Sequence, residues 1–465
     1  MTLSTLHTCL CGALSADGTA TWNATPKSPI LTLLWLETEM SLKEPKSDVL
    51  TKANNTLTAK STAVYTEVSI FPNYPCQVLI STMEGRPPSP PRQPPNSGFE
   101  ALDNDYLLEE ETFSWYSPDY FYHVRIGEVF QLRYKVLRKL GFGSVSTAWL
   151  CRDLMYYVTL KVFVSYHRQA ENEEKVYRHL RTIKTNHLGV TGIRSLRDSF
   201  QLPGKRGPHE CLIQDELGLT LGEIREMSEG EMVSIVLLKP LTTCLLTALD
   251  FLHTETHVVH TGKLFYPLEL LRGLTVGGAD IQENNIMLAM KDDTIFKSFE
   301  QEEMEEPSLR KVDGEHIIYA SRPLDIPDGA SHNVLCDFGD AQFGDEMYGG
   351  EVMPDLYRAP EIVLGINWNE KIDIWAVGML VWDLFEGKHM FKERLPRRME
   401  SVPAHIARMI ALLGPPPKEL LKRGQFSDMY FDEDGNFTRD AKVEDTSLEE
   451  VEENLEVDAR GQEDS

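Results

Sequence analysis

Two short carboxylate-bearing stretches limit what this chain can fold into more than anything in its composition. The first reads Val258-Val259-His260-Thr261 and resumes at Asp280-Ile281-Gln282-Glu283-Asn284-Asn285-Ile286-Met287. The second is Val334-Leu335-Cys336-Asp337-Phe338-Gly339. An Asp followed five residues later by an Asn, on a loop opened by a His, is a compact polar device between apolar segments. Such an Asp can accept a proton from an attacking hydroxyl, and Asn and Asp oxygens are hard ligands for magnesium. Eighteen residues, Gly262 to Ala279, separate Thr261 from Asp280.

Upstream, Phe130 to Leu140 alternates as a strand does, and Gly141-Phe142-Gly143-Ser144-Val145-Ser146 is a glycine turn. Thr147 to Cys151 then resumes an extended pattern. Strand, turn and strand predict a hairpin whose backbone can lie over phosphates, because glycine admits close approach. A dinucleotide fingerprint needs a helix after the turn, and the residues here favour a strand. Tyr156 to Val164 is a third strand with one Lys, Lys161, among apolar neighbours. A lone strand Lys is commonly an edge residue with a solvated head, but its interval from Gly143 places it one strand beyond the turn. Arg168 to Thr182 reads as a helix; Glu173 on it is either a solvated acid or a partner for Lys161. Asp215-Glu216-Leu217-Gly218 suggests a hinge, and Ser234 to His253 a long amphipathic helix. Asp292 to Glu306 is a polar, acidic insert. Tyr357-Arg358-Ala359-Pro360-Glu361 opens a helix, and Lys371 to Trp382 is an apolar helix with one acid, Asp373. A buried Asp there needs donors, and the amides of the His260 loop are the obvious ones.

This ordered set resembles the eukaryotic protein kinases, and more narrowly the fungal SR-protein kinases. The narrower likeness rests on Val124-Arg-Ile-Gly-Glu-Val129, Leu140 to Thr147, His-Thr-Asp across the excursion, Asn284-Asn-Ile-Met287, Ile318 to Leu324 and Asp355 to Glu361. It spans roughly Tyr116 to Glu456. The resemblance implies an α+β, two-lobed fold with a small β-rich N-lobe (about 134–215) and a larger helical C-lobe (about 219–456). It implies ATP and Mg²⁺ as cofactors and phosphorylation of serines in basic Arg/Ser-rich proteins, with a role in mRNA splicing. Residue by residue, Leu140, Gly141, Phe142, Gly143, Ser144, Val145, Ser146, Thr147 and Ala148 would cover the nucleotide. Lys161, paired with Glu173, would hold its phosphates. Glu216 and Leu217 would meet adenine below Gln214. Asp280 would orient the substrate hydroxyl, with Asn285 and Asp337 on the metal.

Three departures accompany the likeness. Gln282 stands where many kinases place a Lys. The family continues past a stretch like Leu448 to Leu455 into two further helices that supply an Arg for the acid at Glu361, so the domain is expected to be C-terminally truncated. The excursion 262–279 matches no family element, and removing it joins the motif without a seam. It is either translated intron or a surface loop; the rigidity a catalytic loop requires favours the first. The alternative to an active kinase is therefore an ATP-binding pseudokinase or scaffold.

Composition bounds the rest. Forty-six basic against 72 acidic residues give a net charge of −26, which disfavours nucleic acid and anionic membrane and favours basic partners. A solvated surface plus an acidic tail, 457–465, explains the same figure without any substrate preference. Seven scattered cysteines suit a reducing compartment, cytoplasm and nucleus. No run of 18 apolar residues exists, so no membrane span is expected. A monomer is expected. Residues 1–105 carry no assignable domain, and the Pro/Ser-rich segment 86–96 reads as a linker. The kinase-like domain covers 116–456, with the acidic insert at 292–316.

Overall fold

The computed structural model describes residues 95, 97–103, 105–154, 156–261, 281–314, 316–325, 330–343, 347–391 and 398–454, all within one compact unit. Residues 1–94, with most of the Pro-rich segment, the excursion 262–279 with Asp280, and the tail 457–465 lie outside the described residues.

Six strands form an antiparallel sheet: β1 (Val129–Phe130), β2 (Tyr134–Phe142), β3 (Ser146–Asp153), β4 (Tyr156–Phe163), β5 (Leu196–Leu202) and β6 (His209–Gln214). Their spatial order is β1-β2-β3-β4-β6-β5. Period-2 alternation gives the sheet two apolar faces. One buries Val136, Trp149, Val158, Leu160 and Ile213. The other buries Leu137, Leu150 and Tyr157. Helix α1 (Arg168–Leu180) follows β4, capped by the His167 side chain, and buries Ala170, Glu173, Val176 and Tyr177.

Beyond the hinge come α2 (Leu221–Met227) and α3 (Ile235–Asp250), then short β7 (Val258–Val259) and β8 (Ile286–Met290). With its continuation to Glu255, α3 is long and apolar enough to cross a membrane by length and composition. Here it is a core helix, burying Leu238, Leu245 and Leu249.

The polar, acidic insert packs against the sheet. Residues Thr294–Glu305 form α4, whose Phe296 and Phe299 complete the second face of the sheet. Arg138 of β2, fully buried, reaches α4 through Glu302 at 3.2 Å and Glu303 at 3.1 Å. The missed signal was the Phe296/Phe299 pair, one helical turn apart. Strands β9 (Arg310–Asp313) and β10 (His316–Tyr319) make a hairpin after it.

The acidic Glu109–Glu111 run is also drawn onto the sheet. Lys139, the next residue along β2, is fully buried and meets Glu110 at 2.6 Å and Glu109 at 2.8 Å. Glu111 pairs with Lys311 of β9 at 2.8 Å. The segment before Tyr116 is thus tied to the sheet beside the glycine turn, where Phe113 also packs on Phe142.

Strands β11 (Ala330–Leu335) and β12 (Gln342–Phe343) pair with β8 and β7. The remaining helices are α5 (Pro360–Leu364), α6 (Lys371–Glu386), α7 (Arg398–Leu413), α8 (Lys418–Leu421) and α9 (Leu448–Val451). Glu361 on α5 is buried with Oε2 unpartnered, and burial pushes its pKa up to about 7, only partly offset by a backbone hydrogen bond and by Arg423. A carboxyl whose folded pKa is raised costs stability as pH climbs from its unfolded value toward the folded one. Glu361→Gln is therefore expected to raise stability at pH 8 by about 2–3 kcal/mol and to change it little near pH 4. Urea denaturation at the two pH values checks this; an equal effect at both would show that ionisation is not the cause.

Candidate active site

Lys161 lies mid-strand in β4, with its side chain only 15% exposed. Its Nζ donates to Glu173 Oε2 at 2.7 Å and to Asp337 Oδ1 at 3.4 Å. Burial works against the ammonium, but Asp337 and Glu173 outweigh it and hold the Lys161 pKa above its ordinary value. Burial likewise opposes ionisation of Asp337, yet Lys161 and the Gly339 amide pull its pKa below the usual carboxylate range. Sheet, α1 and the Asp337 turn thus converge on one ammonium. Gln214 belongs to the same cluster, since its Nε2 donates to Glu173 Oε1 at 3.1 Å and to the Tyr177 hydroxyl at 3.2 Å. Only its place beside the hinge was legible in the sequence.

The glycine turn is closed by Gly143 N donating to Ser146 O at 2.8 Å, with Phe142 opposite Thr147 and Gly141 opposite Ala148. A methyl group at Gly141 would meet nothing within 4 Å, and one at Gly143 only Ser146 atoms at 3.9 Å and beyond. The chain's own packing does not demand these glycines, so their bare backbone is free to approach a phosphate. At the hinge, Leu217 is buried with Val334 and Cys336. The Asp215 carbonyl accepts from Arg194 Nη2 at 2.8 Å, and Arg197 pairs with the Asp215 and Glu216 carboxylates.

The interrupted loop is anchored on both sides of the interruption. Before it, the fully buried Asp373 carboxylate accepts from His260 N at 2.8 Å, Thr261 N at 2.9 Å and His253 Nε2 at 2.8 Å. His260 Nε2 donates to the Cys336 carbonyl at 3.0 Å, and burial lowers its pKa, keeping the ring neutral. After it, Ile281 is fully buried and residues Glu283–Asn285 form a 3-10 turn. Cys336 N donates to Asn285 O at 2.8 Å. Leu335 pairs with Ile286, so the antiparallel register brings the Asn285 and Asp337 ends of the two strands together. Asp337 adopts φ 61°, a left-handed conformation that Asp tolerates better than most residues. Asn172 of α1 holds the turn by donating to the Gly339 and Ala341 carbonyls at 3.0 Å each.

Lys161, Glu173 and Asp337 are thereby in direct contact, and Asn285 stands at the end of the strand paired with the one that leads into Asp337. Asp280 lies outside the described residues, although its neighbour Ile281 is fixed. Mg²⁺ commonly takes one or two protein oxygens besides those of a phosphate. A carboxylate and an amide oxygen beside a lysine suit that donor set.

A curled antiparallel sheet with a glycine hairpin and a buried Lys–Glu pair, joined to a helical body, marks an α+β phosphotransferase of the kinase class. A serine/threonine protein kinase of Aspergillus fumigatus is 39% identical over 374 residues, covering 79% of this chain and 87% of the relative. The SRPK serine/threonine-protein kinase of Physarum polycephalum is 26% identical over 349 residues, 70% of this chain and 78% of that protein. Protein kinase dsk1 of Schizosaccharomyces pombe is 25% identical over 432 residues, 75% and 79% of the two chains. No protein-family model matches the chain. The chain belongs to the serine/threonine protein kinases.

Proposed function

We propose that the protein transfers the γ-phosphate of ATP to serines in Arg/Ser-rich proteins, acting as an SR-protein-type kinase in mRNA splicing. The observation that carries the catalytic part is Lys161, held between Glu173 and Asp337. The substrate class is supported by the likeness to SRPK-named kinases and by the net charge of −26. In the two-lobed arrangement, Gly141 to Ser146 cover the phosphates and Lys161 neutralises them. Glu216 and Leu217 present backbone groups to the base. Asn285 and Asp337 hold Mg²⁺, and Asp280 accepts the serine proton. Bound ATP supplies the phosphoryl group; what the chain adds is positioning and charge neutralisation. Gln282, in place of a Lys, makes one such contact neutral.

The test compares an Arg-Ser repeat peptide with an acidic peptide at rising ionic strength. Faster transfer to the Arg-Ser peptide is expected, with the preference shrinking as salt screens the attraction. Equal rates on both peptides, or a salt-independent preference, would contradict the substrate assignment.

A further inference from the structure

The turn that carries Asn285 has an attachment of its own. Arg225 of α2 grips Glu283 with both arms of its guanidinium, Nε to Oε2 at 2.6 Å and Nη2 to Oε1 at 2.9 Å. Its third nitrogen meets Glu231 at 3.1 Å. Helix α2 lies flush on the turn, since a methyl group at Gly222 would come within 2.4 Å of Asn284 Oδ1. Its base is rooted by the Thr220–Glu223 capping box and by a bridge from Thr220 to Met287 on β8. Among the described residues, Asp373 holds the half of the loop before the excursion. Residues Ile281 to Asn285 follow it, so their alignment depends on contacts made from their own side.

We propose that Arg225, acting through Glu283, is a positioning residue that holds Asn285 for the Mg²⁺–nucleotide; this rests on the kinase reading above. A two-pronged guanidinium–carboxylate pair fixes orientation as well as distance. Lysine keeps the charge but not the fork.

The test uses the full chain and Arg225→Lys, Arg225→Ala, Glu283→Gln and the Arg225→Ala/Glu283→Gln double variant. ATP binding is followed by calorimetry across a Mg²⁺ titration, and peptide phosphorylation is measured at saturating Mg²⁺. Each variant is expected to need about tenfold more Mg²⁺ for half-maximal tightening of ATP, the scale for groups that orient a metal ligand. ATP affinity without Mg²⁺ and the KM for peptide should hold. The double variant should shift no further than either single one. A purely structural pair would lower the melting temperature and leave the Mg²⁺ midpoint in place, which overturns the proposal. So would a raised peptide KM at an unshifted midpoint, which would place the pair on the substrate face. A wild-type chain that takes up no Mg²⁺–ATP would sink the kinase reading and this one with it. Normal wild-type uptake with unshifted variants would sink this one alone.

Discussion

Asp373→Ala is expected to cost about 3–5 kcal/mol of stability at pH 7, the penalty for stripping a buried charge from its partners. The Asp373 carboxylate is fully buried and accepts from two loop amides and His253. Without it, the His260 and Thr261 N–H groups lose their acceptor where water cannot replace it. Burial disfavours the charge, but His253, His260 and the amides outweigh it and pull the Asp373 pKa down. The sign of the pH dependence follows. A carboxylate depressed in the folded state stabilises fully above its unfolded pKa, about 3.9, and loses that contribution as pH falls toward the folded value. The gap between wild type and variant should therefore be wide at pH 7 and begin to narrow only below about pH 4, closing further as pH falls toward the folded value. Urea melts at pH 7 and at a series of values falling from about pH 4 provide the check. A gap that stays constant would mean the side chain acts by filling space. Asp373→Asn, which keeps one acceptor oxygen, should fall between the two.

Asp337→Asn is expected to lower phosphoryl transfer by about three orders of magnitude, comparable with losing one preorganised electrostatic contact at a reacting centre. Two losses combine in this variant. At the proposed Mg²⁺ site the ion would lose its carboxylate, and Lys161 loses one of the two anions that hold it charged and in place. Lys161 keeps Glu173 at 2.7 Å, so ATP should still bind without Mg²⁺. Adding Mg²⁺ should no longer tighten it. Because the Asp337 pKa is lowered, wild-type activity should show no acid limb from this group at physiological pH. A variant that keeps Mg²⁺-dependent tightening and more than a tenth of wild-type turnover would remove Asp337 from the metal site.

What the sequence settled by itself was local. Strands β2 to β4 follow from period-2 alternation, and the hairpin between β2 and β3 from the Gly141–Gly143 turn. Helix α1 follows from apolar positions at helical spacing. These features depend on neighbours a few residues away, so a linear string carries them. The interval from Gly143 to Lys161 was readable for the same reason, because one intervening strand has a fixed length.

Tertiary structure decided which charges are buried and whom they meet. Glu109–Glu111 and Asp292–Glu306 both read only as acidic in the sequence, since composition records charge but not the cation that reaches it. Lys139, Lys311 and Arg138 arrive from distant strands and turn both segments into parts of the core. Gln214 supports Glu173 from 41 residues away, and Arg225 grips Glu283 across 58. Neither contact has a spacing rule, because the chain between the partners is folded rather than periodic. The interrupted loop shows the division most plainly. The sequence revealed the motif and the break in it. Only packing shows that Asp373 holds one side of the break, while Arg225 and the β8–β11 pairing hold the other.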